Sequence, residues 1–369
     1  MKARIAFPFV GDTIGGSHIS AALLIKALPK HGYDPVALVH CEGPLHTFLA
    51  ERNIATSRVD LPFLKAGGGG VRGLAGIMAA LPALASALRQ HRIDVVHAND
   101  GRMIATWMPA ARFARRGAVA HRRTRWSKSR MAHLSLRLAH RIIAISEFTC
   151  ASLPEDLKRR ATVIENPFDV ADFDKAAGRV AAIAASGHDG PIVAFVGTLQ
   201  DQKRPLVFLE AAAAIHRARP DVAFVMMGRD GDESGRVQEA CVRLGLGKVV
   251  KKLGFRPDAE LLLSGCDLLL APAVNEGHGR ALIEAMLAGV PVVASASGGH
   301  VEATQNGEKG VLVPPDDSAA MAKAALDLLS SPDAARERTV ATERWARERF
   351  TPDRHAAAVA GIYDAILKR

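Results

Sequence analysis

Short apolar runs alternate with longer stretches of helical composition along almost the whole chain. In the first half, strands are predicted at Ala3–Val10, Asp34–Val39, Val59–Leu61, Asp94–Asp100 and Ala118–His121. In the second half they fall at Pro191–Thr198, Val222–Gly228, Val249–Phe255, Cys266–Pro272 and Gly310–Pro314. Helices are predicted between them at Ile19–Lys30, Val71–Arg89, Pro205–Arg217, Arg280–Ala288 (closed by Gly289) and Asp316–Leu329, the last starting from an acidic cap. Strands that alternate with helices imply an α/β architecture of two doubly wound parallel sheets, each its own domain, facing each other across a cleft. The boundary is placed near Phe168–Phe173, giving domains at residues 1–170 and 171–350.

Composition narrows this only a little. A chain of 369 residues, near half of them apolar and 23% charged, suits two soluble domains with a core each. The cysteines at 41, 150, 241 and 266 have no metal spacing, which fits free thiols in a reducing cytosol. No signal peptide is read at the start, and a cytoplasmic location is expected. The uncharged stretch Gly73–Leu88 is shorter than the roughly 20 residues of a spanning helix and contains Pro82, so it is expected to be a buried helix. Charge is more informative. The net charge is +10, yet between Asp100 and Glu147 there is no acidic residue, while Lys and Arg occur eleven times from Arg102 to Arg141. That segment supplies the whole excess.

The candidate chemistry centres on Glu276–Gly289. Glu276 follows a predicted strand, Gly277 and Gly279 punctuate a tight loop, and Glu284 lies in the next helix. The crevice beyond the carboxyl ends of strands is where open α/β sheets bind ligands. Backbone amides at Gly279, Arg280 and Ala281 would form an anion site at the helix start. Two carboxylates beside it can only accept hydrogen bonds, which suits a ligand with both phosphates and sugar hydroxyls. The loop Gly11–His18 is a second glycine-rich strand-to-helix turn, although it is not the G-x-G-x-x-G dinucleotide fingerprint. The four-glycine run Gly67–Gly70 is expected to be a mobile loop, and His97 to be a hydrogen-bonded structural histidine.

Glu276, seven residues, Glu284 and then Ala-Met-Leu-Ala-Gly-Val-Pro-Val-Val-Ala-Ser at 285–295 resemble the signature of retaining family 4 glycosyltransferases, which have the GT-B fold. The likeness extends to Asp94–Ala98, to Leu138–Glu147 as a strand whose Ser146-Glu147 opens a helix, to Val163–Asp169, and to Gly298-Gly299 with Glu302. The last stretch, Pro352–Arg369, resembles the family's terminal helix, which packs back on the first domain. By this resemblance Glu284 holds the nucleotide ribose, Glu276 contacts the donor sugar, and Gly15-Gly16 faces the donor. His121 reaches toward the transferred sugar. Gly228 and the backbone at Phe255-Arg256 line the base pocket, and Lys203 binds the pyrophosphate. The chain departs from the family at Thr198, after Gly197, where an Arg is usual; Arg204 and Arg280 are the candidates to make up that charge. His278 stands where an aromatic is common.

The activity implied is transfer of a sugar from a nucleoside-diphosphate sugar to an acceptor with retention of configuration, in cell-surface glycan or lipopolysaccharide synthesis. Lys203 and the amides at Gly279–Ala281 stabilise the leaving diphosphate, so no metal and no cofactor is expected. The acceptor is expected to be lipid-linked or a saccharide, with Arg122, Arg123, Arg125 and Lys128 against the acceptor or an anionic membrane surface. A glycosidase using the two glutamates, a GT-B nucleotide-sugar epimerase and a nucleic-acid binder driven by the basic segment are the alternatives. No nucleic-acid partner is expected, because the segment has no recognised binding module.

Overall fold

The computed structural model describes residues 2–65, 71–125, 130–170 and 172–368. The Gly67–Gly70 loop, Lys128 and Trp126 lie outside them. Two compact units are present, residues 1–169 with 350–369, and residues 170–349.

The first unit holds β1 (Ala3–Phe9), β2 (Tyr33–Val39), β3 (Thr56–Arg58), β4 (Val95–Ala98), β5 (Gly117–Arg122), β6 (Arg141–Ala144) and β7 (Ala161–Val163). They form one parallel sheet in the order β3-β2-β1-β4-β5-β6-β7. Side chains alternate across it, as a pleated strand requires. Ile5, Phe7 and Phe9 enter the core on one face with Val359, Ala360 and Tyr363, while Ala6 and Val10 join Trp107 and Met108 on the other. Each large side chain so buried contributes about 1.5–3 kcal/mol. The terminal helix Pro352–Leu367 therefore belongs to this unit, packed beside the helix Gly16–Ala27.

The second unit holds β8 (Ile192–Val196), β9 (Ala223–Met227), β10 (Val250–Gly254), β11 (Leu268–Ala271), β12 (Val292–Ser295) and β13 (Val311–Val313). Its parallel order is β10-β9-β8-β11-β12-β13. Both orders reverse beside a first strand, between β1 and β4 and between β8 and β11. Those reversals open the crevices in which doubly wound sheets bind ligands. The loops that leave β8 and β11 carry Gly197–Arg204 and Glu276–Gly279.

Two local expectations need correcting. The strand expected at Val59–Leu61 lies three residues earlier, at Thr56–Arg58, where it pairs with Ala37–Val39. The Val59 amide still donates to the Val39 carbonyl at 2.9 Å, while the Val59 and Leu61 side chains pack against the core. The Gly73–Leu88 stretch is amphipathic rather than buried throughout: Ile77, Leu81, Leu84 and Leu88 face the core, and Met78 is 55% exposed. Pro82 lies on the exposed side of this helix, Val71–Gln90. Among the described residues no helix is long and apolar enough to cross a membrane.

Candidate functional site

In the second unit the loops after β8, β9, β11 and β12 meet backbone to backbone. Gly228, at φ +151°, lies so close to Gly197 that a Cβ would fall 1.9 Å from its carbonyl oxygen. The carbonyl of Met227 accepts from the Gly197 amide at 2.8 Å, and that of Gly254 from the Gly228 amide at 2.8 Å. The stem of Lys203 then crosses Gly197, where a Cβ would stand 3.2 Å from its Cδ. A glycine at 197 thus lets the lysine lie flat over the end of β8.

Lys203 Nζ donates to Glu276 Oε2 at 2.6 Å. The Gln202 carbonyl accepts from the Val274 amide at 2.9 Å, and Gln202 Nε2 donates to the Asn275 carbonyl at 3.0 Å, so the β8 and β11 loops are fixed to one another. The Glu276 carbonyl in turn accepts from the Gly299 amide at 2.8 Å. Burial alone would push the Glu276 carboxyl up, yet Lys203 holds it below the usual carboxylate value. His300 is buried over Gly279, whose φ of +76° starts the helix Arg280–Leu287. Burial brings His300 down to about 4, against the pull of Glu276. Its ring is neutral at pH 7.

The same helix start carries a second pair, Arg280 Nη2 to Glu284 Oε1 at 2.8 Å, with both side chains under one fifth exposed. A helix N-terminus leaves its first amides without intrahelical partners, so Gly279, Arg280 and Ala281 present donors beside these charges. Of the two arginines considered for the charge missing at Thr198, Arg204 is spent on Asp201 and Asp316. Arg280 stands by Glu284 instead. Phe255, 57% exposed after β10, carries the Arg229 guanidinium over its ring at 4.7 Å. Among the described residues no group of three or more His, Cys, Asp or Glu is placed to hold a metal ion.

In the first unit Gly15 caps the helix that Gly16 begins, and the Gly15 amide donates to His18 Nδ1 at 3.1 Å. Arg102 grips Asp12 in the loop after β1 through two contacts, at 2.6 and 3.0 Å. His121, near the end of β5, is fully buried: its Nδ1 lies 3.1 Å from His97 Nε2, and its ring stacks on His355. His97 is hydrogen-bonded on both nitrogens, the other to the Tyr363 hydroxyl at 2.5 Å. The basic quartet is not one surface patch. Arg122 is buried and turned back onto the Thr124 and Arg125 carbonyls, and burial lowers its pKa. Arg123 reaches inward to Asn99, Asn166 and His121. Arg125 is exposed, and Lys128 is outside the described residues. Sequence reading passed over His300, Asn166, His355 and Tyr363. The signal for the last two was a pair of polar groups eight apart on an otherwise alanine-rich face of the terminal helix.

The chain matches two family profiles, "Glycosyltransferase Family 4" over residues 14–172 and "Glycosyl transferases group 1" over residues 181–345. It is 27% identical over 242 residues to 2-deoxystreptamine glucosyltransferase of Streptomyces kanamyceticus, covering 63% of this chain and 62% of that protein. It is 32% identical over 250 residues to D-inositol 3-phosphate glycosyltransferase of Streptomyces scabiei, covering 63% of this chain and 55% of that one. The matched stretch thus spans less than two thirds of either relative. Anabaena HepE, solved in complex with UDP and glucose, superposes with a TM-score of 0.82 at 22% identity, over 98% of this chain and 99% of its own. Two profiles that together span most of the chain, on two parallel Rossmann-like sheets, make it a member of the family 4 glycosyltransferases with the GT-B fold.

Proposed function

We propose that the chain transfers a sugar from a nucleoside-diphosphate sugar to an acceptor hydroxyl with retention of anomeric configuration. The observation that carries this reading is the pair of cation–carboxylate contacts at the β8/β11 crevice, Lys203–Glu276 and Arg280–Glu284, gathered at one helix N-terminus. A diphosphate would take the two cations and the first-turn amides, and the sugar and ribose hydroxyls would take the two carboxylates.

In this reaction the bond from the anomeric carbon to the diphosphate oxygen breaks, and the acceptor oxygen bonds to the same face of that carbon. The acceptor proton passes to an oxygen of the leaving phosphate. Negative charge grows on the diphosphate as the bond loosens, and Lys203, Arg280 and the amides at Gly279–Ala281 would stabilise it. Glu276 orients the sugar and Glu284 the ribose. By the family resemblance His121 is assigned a contact to the transferred sugar, and Gly15-Gly16 and Phe255 contacts to the donor. Since fixed protein charges carry the work, turnover is proposed to need no metal.

Donor identity is tested by calorimetry with UDP-, GDP- and ADP-sugars, UDP-glucose first because the HepE complex holds UDP and glucose. The anomer of the product is read by NMR. Binding of none of these sugars, an inverted product, or activity abolished by EDTA and restored by Mg²⁺ would each overturn a stated part of the reading.

The acceptor is proposed to be a lipid-linked or other saccharide, as in cell-surface glycan or lipopolysaccharide synthesis, met by a cytoplasmic protein at an anionic membrane surface. With Arg122 and Arg123 turned inward, the contact falls to Arg125 and to the neighbouring helices Gly101–Phe113 and Arg130–Arg137. There Phe113 and Leu134 are 56% and 53% exposed, beside Arg112, Arg115 and Arg137. Each cation near such a surface contributes about 1 kcal/mol. Co-sedimentation with phosphatidylglycerol vesicles should weaken as salt rises, and be lost on replacing Arg112, Arg115 and Arg125 by Ser. No sedimentation even at low salt would indicate a soluble acceptor.

A further inference from the structure

Three rings and one guanidinium lie in line at the carboxyl ends of β4 and β5. The Tyr363 hydroxyl meets His97 Nδ1 at 2.5 Å, His97 Nε2 meets His121 Nδ1 at 3.1 Å, and Arg123 Nη2 meets the same His121 Nδ1 at 3.3 Å. Arg123 is itself held, Nη2 donating to Asn99 Oδ1 at 2.8 Å and Nη1 to Asn166 Oδ1. Asn99 is oriented in turn, its Nδ2 donating to the His97 carbonyl at 3.4 Å.

A guanidinium can only donate and stays charged at any pH the fold survives. His121 Nδ1, facing it, must therefore carry its lone pair, and the ring proton of a neutral His121 must sit on Nε2. His97 Nε2 faces that same lone pair, so it must carry a proton and donate. A neutral His97 then has its lone pair on Nδ1, which leaves the Tyr363 hydroxyl as the donor. Burial and the charge of Arg123 hold both histidines well below the usual imidazole value, so both are neutral. The relay has one polarity, and it ends at His121 Nε2, which is buried with no hydrogen-bond partner among the described residues.

We propose that Arg123 is a positioning residue: it locks His121 and His97 as their Nε2–H tautomers, so that His121 offers a hydrogen-bond donor and not a lone pair at the end of β5. Tyr363 completes the line from the terminal helix but does not set the polarity of His121. The lock itself follows from the geometry alone. Its catalytic consequence rests on the proposed reading of His121 as a contact to the transferred sugar, whose oxygen would accept from Nε2–H.

Selective ¹⁵N-histidine labelling and long-range ¹H–¹⁵N correlation separate protonated from unprotonated ring nitrogens, with His97→Asn and His121→Asn used to assign the signals. The wild-type chain at pH 7.5 should show unprotonated Nδ1 and protonated Nε2 for both rings. Arg123→Met should give His121 a substantial Nδ1–H population, whereas Tyr363→Phe should shift only the His97 Nδ1 signal. A protonated His121 Nδ1 in the wild type overturns the proposal whatever the protein catalyses. This reading does not depend on Arg123→Met, so a poorly folded Arg123→Met leaves it decisive. With the cognate donor, Arg123→Met should lower kcat about tenfold with little change in KM. An intact tautomer in that variant, or a lost tautomer with unchanged kcat, overturns the positioning role.

Discussion

Lys203 and Glu276, on loops 73 residues apart in sequence, meet at 2.6 Å with only 27% and 17% of their side chains exposed. Each is thus the other's counter-ion, and in the proposed reading a donor exchanges this contact for its own phosphates and hydroxyls. Replacing Lys203 by Met leaves a mostly buried carboxylate without its main partner. Because the folded pKa of Glu276 is depressed, its stabilising contribution is present above the unfolded value near 4.5 and lost as pH falls through the depressed one. Lys203→Met should therefore lower stability by about 1–3 kcal/mol at pH 7. The deficit should shrink below pH 4 in urea melts, and an equal deficit at both pH values would count against the pair. In turnover the variant should lose kcat more than donor affinity, since the leaving charge is largest in the transition state.

Glu284 is held by Arg280 one turn back along its helix. Glu284→Gln keeps the shape and the neighbour but removes the charge that a diol would bind. Donor affinity should fall by about 1.5–3 kcal/mol, read by calorimetry with the cognate donor. Unchanged affinity would show that the ribose is held elsewhere.

The alternation of the pattern carried most of the fold, since a parallel strand buried on both faces announces itself as an apolar run. It failed at Val59–Leu61, where apolar side chains pack just past the paired strand residues, and at Gly73–Leu88, where absence of charge concealed an exposed face. In the site, residues adjacent in sequence were legible: Glu276, Gly279, Arg280 and Glu284 share one loop and helix. What stayed hidden was every partner set by three-dimensional closure. Nothing along the chain joins Lys203 to Glu276, Arg123 to His121, or Tyr363 to His97. For the same reason the basic segment was read as a surface, although burial had already claimed Arg122 and Arg123.

Gly228 tests how closely the loops after β8 and β9 must approach. Its φ of +151° is rare for an L side chain, and the added methyl would overlap the Gly197 carbonyl at 1.9 Å. Gly228→Ala should cost about 3 kcal/mol or more in thermal or urea unfolding. Gly235→Ala is the control, because a Cβ there meets nothing within 4 Å. If the two variants melt together, the β8–β9 contact is looser than described.

The acid limb of the stability profile should begin near neutrality rather than in the carboxylate range. His300 titrates at about 4 in the folded chain, brought down by burial and against the pull of Glu276. His18, His40, His97 and His121 are also lowered, each first by burial. A lowered folded pKa means that the unfolded chain binds the proton first as pH falls. Each such group contributes its full stability above about pH 6.5 and loses it progressively as pH drops toward the folded value, at up to about 1.4 kcal/mol per pH unit. For His300 the loss ends near pH 4, where the folded ring also becomes charged. Urea melts from pH 7.5 to 4.5 should show stability falling steadily with acidity. His300→Gln, which cannot take a proton, should flatten that slope by about one proton's worth. A profile level between pH 7 and 5, or an unchanged slope in the variant, would mean that His300 is charged in the folded chain. In that case Glu276 is paired to two cations instead of one.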